Sequence, residues 1–474
     1  MAVLPYRFSP AYDARELQSL FRVASVQAQQ RHCPQILSLT LPLLPGVDPL
    51  HLLHHNPLRG EPAVYWENPS RGEAIAAIGQ VEGVGLSGGD RFCQARQWLQ
   101  TFEQHLIQGG DLDLPFSGVH TFAAFTFTPH RAPLGYAPAM LCVPQIQVAR
   151  CGEQGVWVYN ARIEPTTTLT GFLSQLAQGE ALIQNLLQGV DFCPETMARP
   201  GHGGTITQTQ HFPQFKQAVA WALEAIAAGK LSKIVMAHAV DLVSSQPFAV
   251  VTALAALRRH HPDCYTFAFT NAQGHSFIGA SPERLIRIQG GMLQTDALAG
   301  SAPRGETPEL DAHLARQLLT SDKERREHQA VSDYITQRLV ALGLDPVRSP
   351  LQLRQLRQIQ HLWTPITAPV PPSLHPLDIV AQLHPTPAVA GVPMAVACDH
   401  IQRYEGGDRG LYAAPIGWLN AQGGSEFIVG IRSALIRGQQ ARLYGGAGIV
   451  AGSDPERELG EIQLKLQTML KALL

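Results

Sequence analysis

Residues 443–466 read LYGGAGIVAGSDPERELGEIQLKL. In this stretch Asp454 is suited to cap a helix and Pro455 to open it, because proline needs no backbone partner in the first turn. Leu459, Ile462, Leu466, Met469, Leu470 and Leu473 then fall on one helical face, and Glu458, Glu461 and Lys465 border that face within a wedge of roughly 60°. Glycine-rich chain followed by a helix with inward carboxylates sets the question that the rest of the sequence answers.

A second helix, 321–340, repeats the arrangement. Ser321 at the N-cap and Glu324 three residues later form a capping-box pattern that fixes the helical register. At about 100° per residue, Glu327 lies in line with Val331, Tyr334 and Ile335. An unpaired charge on such a stripe costs several kcal/mol. Two helices thus each carry glutamates toward the interior, and oxygen-only donors of this kind suit Mg²⁺, which keeps several waters and binds an anionic substrate through its open positions. The alternative reading is an internal Lys465–Glu461 pair on a solvated helix flank. Periodicity alone leaves both open.

Working outward, 474 residues allow about two to four ordinary domains or one large enzyme fold. With 45% apolar and 16% charged residues, the composition excludes disorder, collagen and coiled coil. The 36 basic residues nearly balance the 38 acidic ones, so no long-range field favours nucleic acid or anionic lipid, and a small polar ligand is expected instead. The seven cysteines form no C-x-x-C pair, which argues against a disulfide framework and a thiolate zinc site. Arg7, Asp13 and Arg15 interrupt the segment where a signal peptide would be apolar, and no run of 18 apolar residues occurs. A soluble, cytoplasmic protein that meets no membrane is expected.

The pattern predicts a polar helix over 13–31, strands and turns for the following hundred residues, a helix over 169–189, and a loop over 194–210 that marks a soft boundary at 206/207. Phe212, Phe215, Val219, Ala222 and Ile226 then space out an amphipathic helix stopped at Gly229, and the strand KIVMAHAVDLV follows. These residues indicate an α+β or α/β chain with its chemistry in the second half. His51, His54 and His55 have helix-compatible metal spacing, but their position between Pro49 and Pro57 argues against a metal role.

From about Thr207 onward eight blocks occur in order: LSKIVMAHAV (231–240), FIGASPERLIRI (277–288), DALAGSAPRG (296–305), SDKERREHQAVSDYI (321–335), LHPTPAVAGVP (383–393), YEGGDRGLYAAPIGWL (404–419), EFIVGIRSALI (426–436) and the opening quotation. Together they resemble the chorismate-binding enzymes, which include isochorismate synthases, salicylate synthases, anthranilate synthase component I and aminodeoxychorismate synthase component I. YWENP (65–69), AIAAIG (74–79) and FAAFTFTP (122–129) lean toward the isochorismate synthases.

The resemblance implies an α+β fold: an α/β sandwich forming a single large two-half domain, with two big, mainly antiparallel sheets flanked by helices. Residues 1–206 would be its weakly similar half and 207–474 its chorismate-binding half. It also implies roles. Glu327 and Glu461 match Mg²⁺ ligands, with Glu324 and Glu458 as supporting carboxylates. Lys233 matches the lysine that activates water, where the ammonia-using relatives have Gln. Glu283 matches the general acid that protonates the departing C4 oxygen. Gly300 and Ser301 match contacts around the ring hydroxyl. Arg432 and Tyr412 match the grip on the enolpyruvyl carboxylate, and Gly446, Gly448 and Lys465 match further substrate contacts. His384 and His361 are expected to line the pocket.

Three departures, Ser301-Ala302 for Thr-Arg, His238 for Arg and Met394 for Arg, leave the acid, base and metal positions unchanged. The expectation is therefore a Mg²⁺-dependent isochorismate synthase acting on chorismate, feeding menaquinone, phylloquinone or a siderophore, as a monomer or weak homodimer with no obligatory glutaminase subunit. Salicylate synthase is the first rival. Anthranilate or aminodeoxychorismate synthase is a weaker one because of Lys233, and an inactive chorismate-binding subunit is weaker still because the acid, base and metal positions are all kept.

Overall fold

The strand Lys233–Ser244 runs antiparallel to Gln440–Val450 over eleven paired positions, and this ladder is one end of a large sheet. The structure, a computed structural model, describes residues 14–54, 56, 58, 60–130, 135–188, 206–209, 212–357 and 359–474. Among these, thirteen strands form one sheet and ten form the other. Strand pairing is antiparallel except between Gln35–Leu43 and Leu106–Gly110. This is the α+β sandwich that the resemblance implies.

Each sheet contains a seam where early and late chain meet. In the larger sheet Tyr265–Thr270 pairs with Ala63–Asn68; in the smaller, Pro415–Asn420 pairs with His120–Phe125. Both seams alternate residues such as Trp66, Tyr65, Phe267 and Phe122 that are buried on both faces, as strands covered on two sides require. The strand Ile206–Thr209 crosses the expected 206/207 boundary and pairs with Asp241–Ser244, so the described part of that loop-like stretch is edge strand. Its ITQT alternation, hidden among Gly and Pro, is the only local trace of it.

The expected helices form as Ala14–Arg31, Leu169–Gln188, Phe212–Ala227, Asp322–Ala341 and Pro455–Leu473. Gly229 takes a left-handed φ of 70° just past the third of these, as a terminator should. The strand-and-turn expectation for the early chain missed the helix Arg91–Glu103, although Phe92, Ala95, Leu99 and Phe102 are buried at 3,4,3 spacing. His51 and His54 lie in the short helix Leu50–His54, and His55 lies outside the described residues. No helix among the described residues is long and apolar enough to cross a membrane.

The two sheets are tied by charge as well as by apolar packing. Glu426, on Ser425–Val429 of the smaller sheet, accepts hydrogen bonds from Arg71 at 2.8 and 2.7 Å and from the Tyr265 hydroxyl of the larger sheet at 2.7 Å. Arg287 lies 3.7 Å from the same carboxylate, which is 1% exposed. Removing one member leaves buried charges uncompensated. Glu426→Ala is therefore expected to cost about 3–5 kcal/mol in urea unfolding, whereas Arg162→Ala, at an exposed pair with Glu82 and Glu164, costs at most about 1 kcal/mol.

Candidate active site

The ladder between Lys233–Ser244 and Gln440–Val450 sets Val235 opposite Gly448 and Ala237 opposite Gly446. Both glycines keep space open. A Cβ on Gly448 would stand 2.9 Å from Glu327 Oε1 and 3.4 Å from Lys233 Cε, and one on Gly446 would stand 2.8 Å from the Tyr412 hydroxyl. The strand then hands over to Pro455–Leu473, whose N-cap Asp454 accepts from the Arg457 N–H at 2.9 Å, so the helix begins where the sequence placed it. Gly445 lets this helix lie close, since a Cβ there would be 3.0 Å from Ile462.

Facing it is Asp322–Ala341, capped by Ser321 through the Glu324 N–H. The reciprocal half of the expected capping box is not made: Glu324 instead accepts from the Ser301 N–H at 3.2 Å. That contact exists because Gly300, at φ 78°, bulges the strand Met292–Pro303 toward the helix, where a Cβ would be 3.2 to 3.3 Å from Glu324. The buried stripe of the helix runs through His328, Val331, Ser332, Ile335 and Leu339, with half-buried Glu327 at its edge.

These elements bring Glu283, Gly300, Ser301, Glu324, Glu327, Tyr412, Arg432, Gly446, Gly448, Glu458, Glu461 and Lys465 into one cleft. Lys233, 3% exposed, reaches it from below, with Nζ 2.8 Å from Glu327 Oε1 in an ion pair whose alignment falls outside hydrogen-bond geometry. Lys465 donates to the Gly446 carbonyl at 2.8 Å and pairs with Glu461 at 2.5 Å. The internal pair and the inward carboxylate, which were alternatives in the sequence, are therefore both present. Ser301 Oγ lies 2.9 Å from His361 Nδ1, because the ladder sets Ser301 opposite His361.

His384 is elsewhere. It ends the helix Pro376–Leu383 and packs between Phe92 and Phe127, with ring centroids 6.4 and 5.7 Å away, in a separate cavity. From the same loop it is Ala388 and Val389 that reach the cleft.

The electrostatics separate the carboxylates into roles. Burial pushes Glu283 up to about 8, helped by Asp296 and opposed by Lys233 and Lys465, so it holds a proton near neutral pH. Burial also raises Glu324 and Glu458, and repulsion from Glu327 and Glu461 adds to it. Burial acts on Glu461 in the same sense, but Lys465, Arg432 and Lys323 outweigh it and hold Glu461 below the usual range. Arg432, in the left-handed region at φ 51°, faces Tyr412 and Glu461 without an ion pair among the described residues, and burial lowers its pKa. Tyr412 is stacked on Tyr444 with centroids 5.1 Å apart. A guanidinium without an ion pair among the described residues, set beside a phenol, has the donors that a carboxylate needs.

Among the described residues no three acidic, histidine or cysteine side chains converge as a ready-made ion cluster. The donor set still fits a hard divalent cation held through one or two carboxylates and waters, because four mutually repelling glutamates face one cleft.

Two cleft residues carried no role in the sequence reading. Lys323 stands 3.6 Å from Glu458 and 3.9 Å from Glu324; its only signal was its place beside Glu324. Arg409 donates to the Val235 and Val389 carbonyls at 2.8 and 2.7 Å and pairs with Glu405, which accepts the Ala237 N–H at 2.7 Å. It thereby fixes the Lys233 strand to the loop beyond His384. Its signal was an unassigned DRG in a quoted block.

Comparisons with known proteins give the family and the fold. The family model described as "Chorismate binding enzyme" matches residues 22–474. The chain is 33% identical over 470 residues to the salicylate biosynthesis isochorismate synthase of Pseudomonas aeruginosa, covering 96% of this chain and 94% of that protein. It is 39% identical over 425 residues to the isochorismate synthase MenF of Bacillus subtilis, covering 86% and 87% respectively. The solved structure of MenF, the menaquinone-specific isochorismate synthase from Escherichia coli, superposes with a TM-score of 0.77 at 29% identity, covering 96% of this chain and all of that one. Anthranilate synthase component I from Streptococcus pneumoniae shares the fold, with a TM-score of 0.67 at 21% identity over 84% of this chain and 92% of that one.

The raised pKa of Glu283 has a sign that can be measured. Folding favours its protonated form, so its contribution to stability is intact below the ordinary carboxylate range and is lost as pH rises through about 8. Glu283→Gln is expected to flatten the fall in Tm between pH 5 and 8 and to melt higher than the parent above pH 8, as read by thermal scans across pH.

Proposed function

The chain belongs to the chorismate-binding enzymes, and we propose that within this family it is a Mg²⁺-dependent isochorismate synthase. The observation that carries the reading is the pairing, in one cleft, of a buried lysine with a buried glutamic acid that keeps its proton near neutrality. Water addition with loss of a hydroxyl needs these two functions together.

Chorismate offers two carboxylates, a C4 hydroxyl and a C2 position open to attack. Arg432 and Tyr412 take the enolpyruvyl carboxylate, with Gly446 and Gly448 admitting the ring against the strand. Lys233 takes a proton from water as the oxygen bonds to C2. The two ring double bonds each move by one position, the C4–O bond breaks, and Glu283 gives its proton to the leaving oxygen, which departs as water. Glu327 and Glu461, backed by Glu324 and Glu458, are the residues to hold Mg²⁺, which neutralises and orients the ring carboxylate when bound. Arg409 does not touch substrate in this scheme and acts by fixing the Lys233 strand. Relatives named for salicylate biosynthesis and for menaquinone illustrate two routes such a product enters.

Incubation of the purified protein with chorismate and Mg²⁺, followed by chromatography and mass analysis, is expected to yield isochorismate. Chelation should abolish turnover and added Mg²⁺ restore it. Salicylate and pyruvate as the primary products would overturn the reading. Lys233→Ala should lower kcat by about 10²–10⁴-fold while chorismate binding stays measurable. In the parent the rate should decline as pH rises through about 8, where Glu283 loses its proton, and this limb should vanish in Glu283→Gln.

A further inference from the structure

Four glutamates meet three lysines at the cleft, and the lysines are held in different ways. Lys233 is buried against Glu327, and Lys465 pairs with Glu461 while donating to the Gly446 carbonyl. That leaves Glu324 and Glu458. Among the described residues, Lys323 is the cation within ion-pair distance of both. Its Nζ stands 3.6 Å from Glu458 Oε1 and 3.9 Å from Glu324 Oε1, both beyond hydrogen-bond length, and its charge acts on Glu461 as well.

The position of Lys323 is unfavourable within its own helix. It sits in the first turn of Asp322–Ala341, where the helix dipole favours anions such as its neighbours Asp322 and Glu324. A cation there breaks a local preference, and residues that do so without local compensation are placed for a function. What offsets the breach lies across the cleft: Lys323 reaches Glu458 in the first turn of Pro455–Leu473, and so joins the starts of the two helices that carry all four glutamates.

Its tether is also the loosest of the three. The Lys323 side chain is 29% exposed and held by charge, so it can withdraw into water without breaking a hydrogen bond. Lys233 is enclosed, and Lys465 is anchored to backbone. A divalent cation on these glutamates meets Lys323 as a like charge facing the same carboxylates, and in a cleft partly shielded from water such repulsion is stronger than in bulk.

We propose that Lys323 is the resident counter-cation of the glutamate cluster, neutralising Glu324 and Glu458 until a divalent cation binds and competing with that cation for them. The inference rests on the cofactor reading above and adds to it a positioning residue that sets the affinity for the ion without ligating it. Removing the charge therefore tightens ion binding, the opposite of what losing a merely structural link between the two helices would do.

The test is titration of Mn²⁺, standing in for Mg²⁺, into the full chain without chorismate, with the free ion followed by electron paramagnetic resonance. Lys323→Met, which keeps the aliphatic stem, is expected to bind at least about fivefold more tightly than the parent. Lys323→Arg should stay within about twofold of it. Lys216→Met removes the same charge from an exposed pair with Glu456, in the first turn of Pro455–Leu473 and outside the cleft, and should also stay within about twofold. Thermal melting in chelator checks that Lys323→Met is folded; if it is not, Lys323→Gln must show the gain. Equal or weaker binding in the folded variant, or an equal gain in Lys216→Met, overturns the inference and leaves the cofactor reading standing. No binding to any of these proteins overturns both.

Discussion

Everything in the cleft depends on the register of one ladder. With Val235 opposite Gly448 and Ala237 opposite Gly446, Lys233 stands next to Glu327 and the helix that follows carries Glu458, Glu461 and Lys465 over the same space. A slip of one residue would turn Lys233 to the opposite face of the sheet, away from Glu327. Arg409 and Glu405 secure the register from the side, because together they bond the backbone at Val235, Ala237 and Val389. A buried, fully hydrogen-bonded ion pair is a plain device for holding backbone where packing alone would tolerate drift.

The second organising fact is a division of charge. Net charge is close to zero, yet the cleft holds carboxylates of opposite character within one space: Glu283 is kept protonated by burial, while Glu461 is kept ionised by Lys465, Arg432 and Lys323. Pushing the titration of neighbouring groups apart is how a site assigns acid and electrostatic roles to the same residue type. Arg432 is the counterpart of this arrangement, a buried cation that forms no ion pair among the described residues.

Much of this was legible in the residues. Helix starts at Ser321 and Asp454 were readable because caps and prolines act locally, and the inward glutamates were readable because helical geometry is regular. The family motifs carried the fold and nearly every cleft residue. What failed was non-local. Glu324 turned from its own helix cap to Ser301, a contact that depends on a bulge at Gly300 on another strand. His384 and Ala388 lie four residues apart in one loop, yet only the second reaches the cleft, and no spacing rule distinguishes them. Arg91–Glu103 was missed because its apolar positions are diluted by Arg and Gln, so its face emerges only once the sheet it covers is known.

The two seams bear on motion. Enzymes built from two lobes commonly admit substrate by swinging the lobes apart about a hinge, but here early and late strands are hydrogen-bonded to one another in both sheets. Opening at the seams would break two backbone ladders at once and strip Arg71 from Glu426. Swinging the halves apart would therefore cost both ladders, and the cleft sits in a frame that backbone hydrogen bonds make continuous across both sheets.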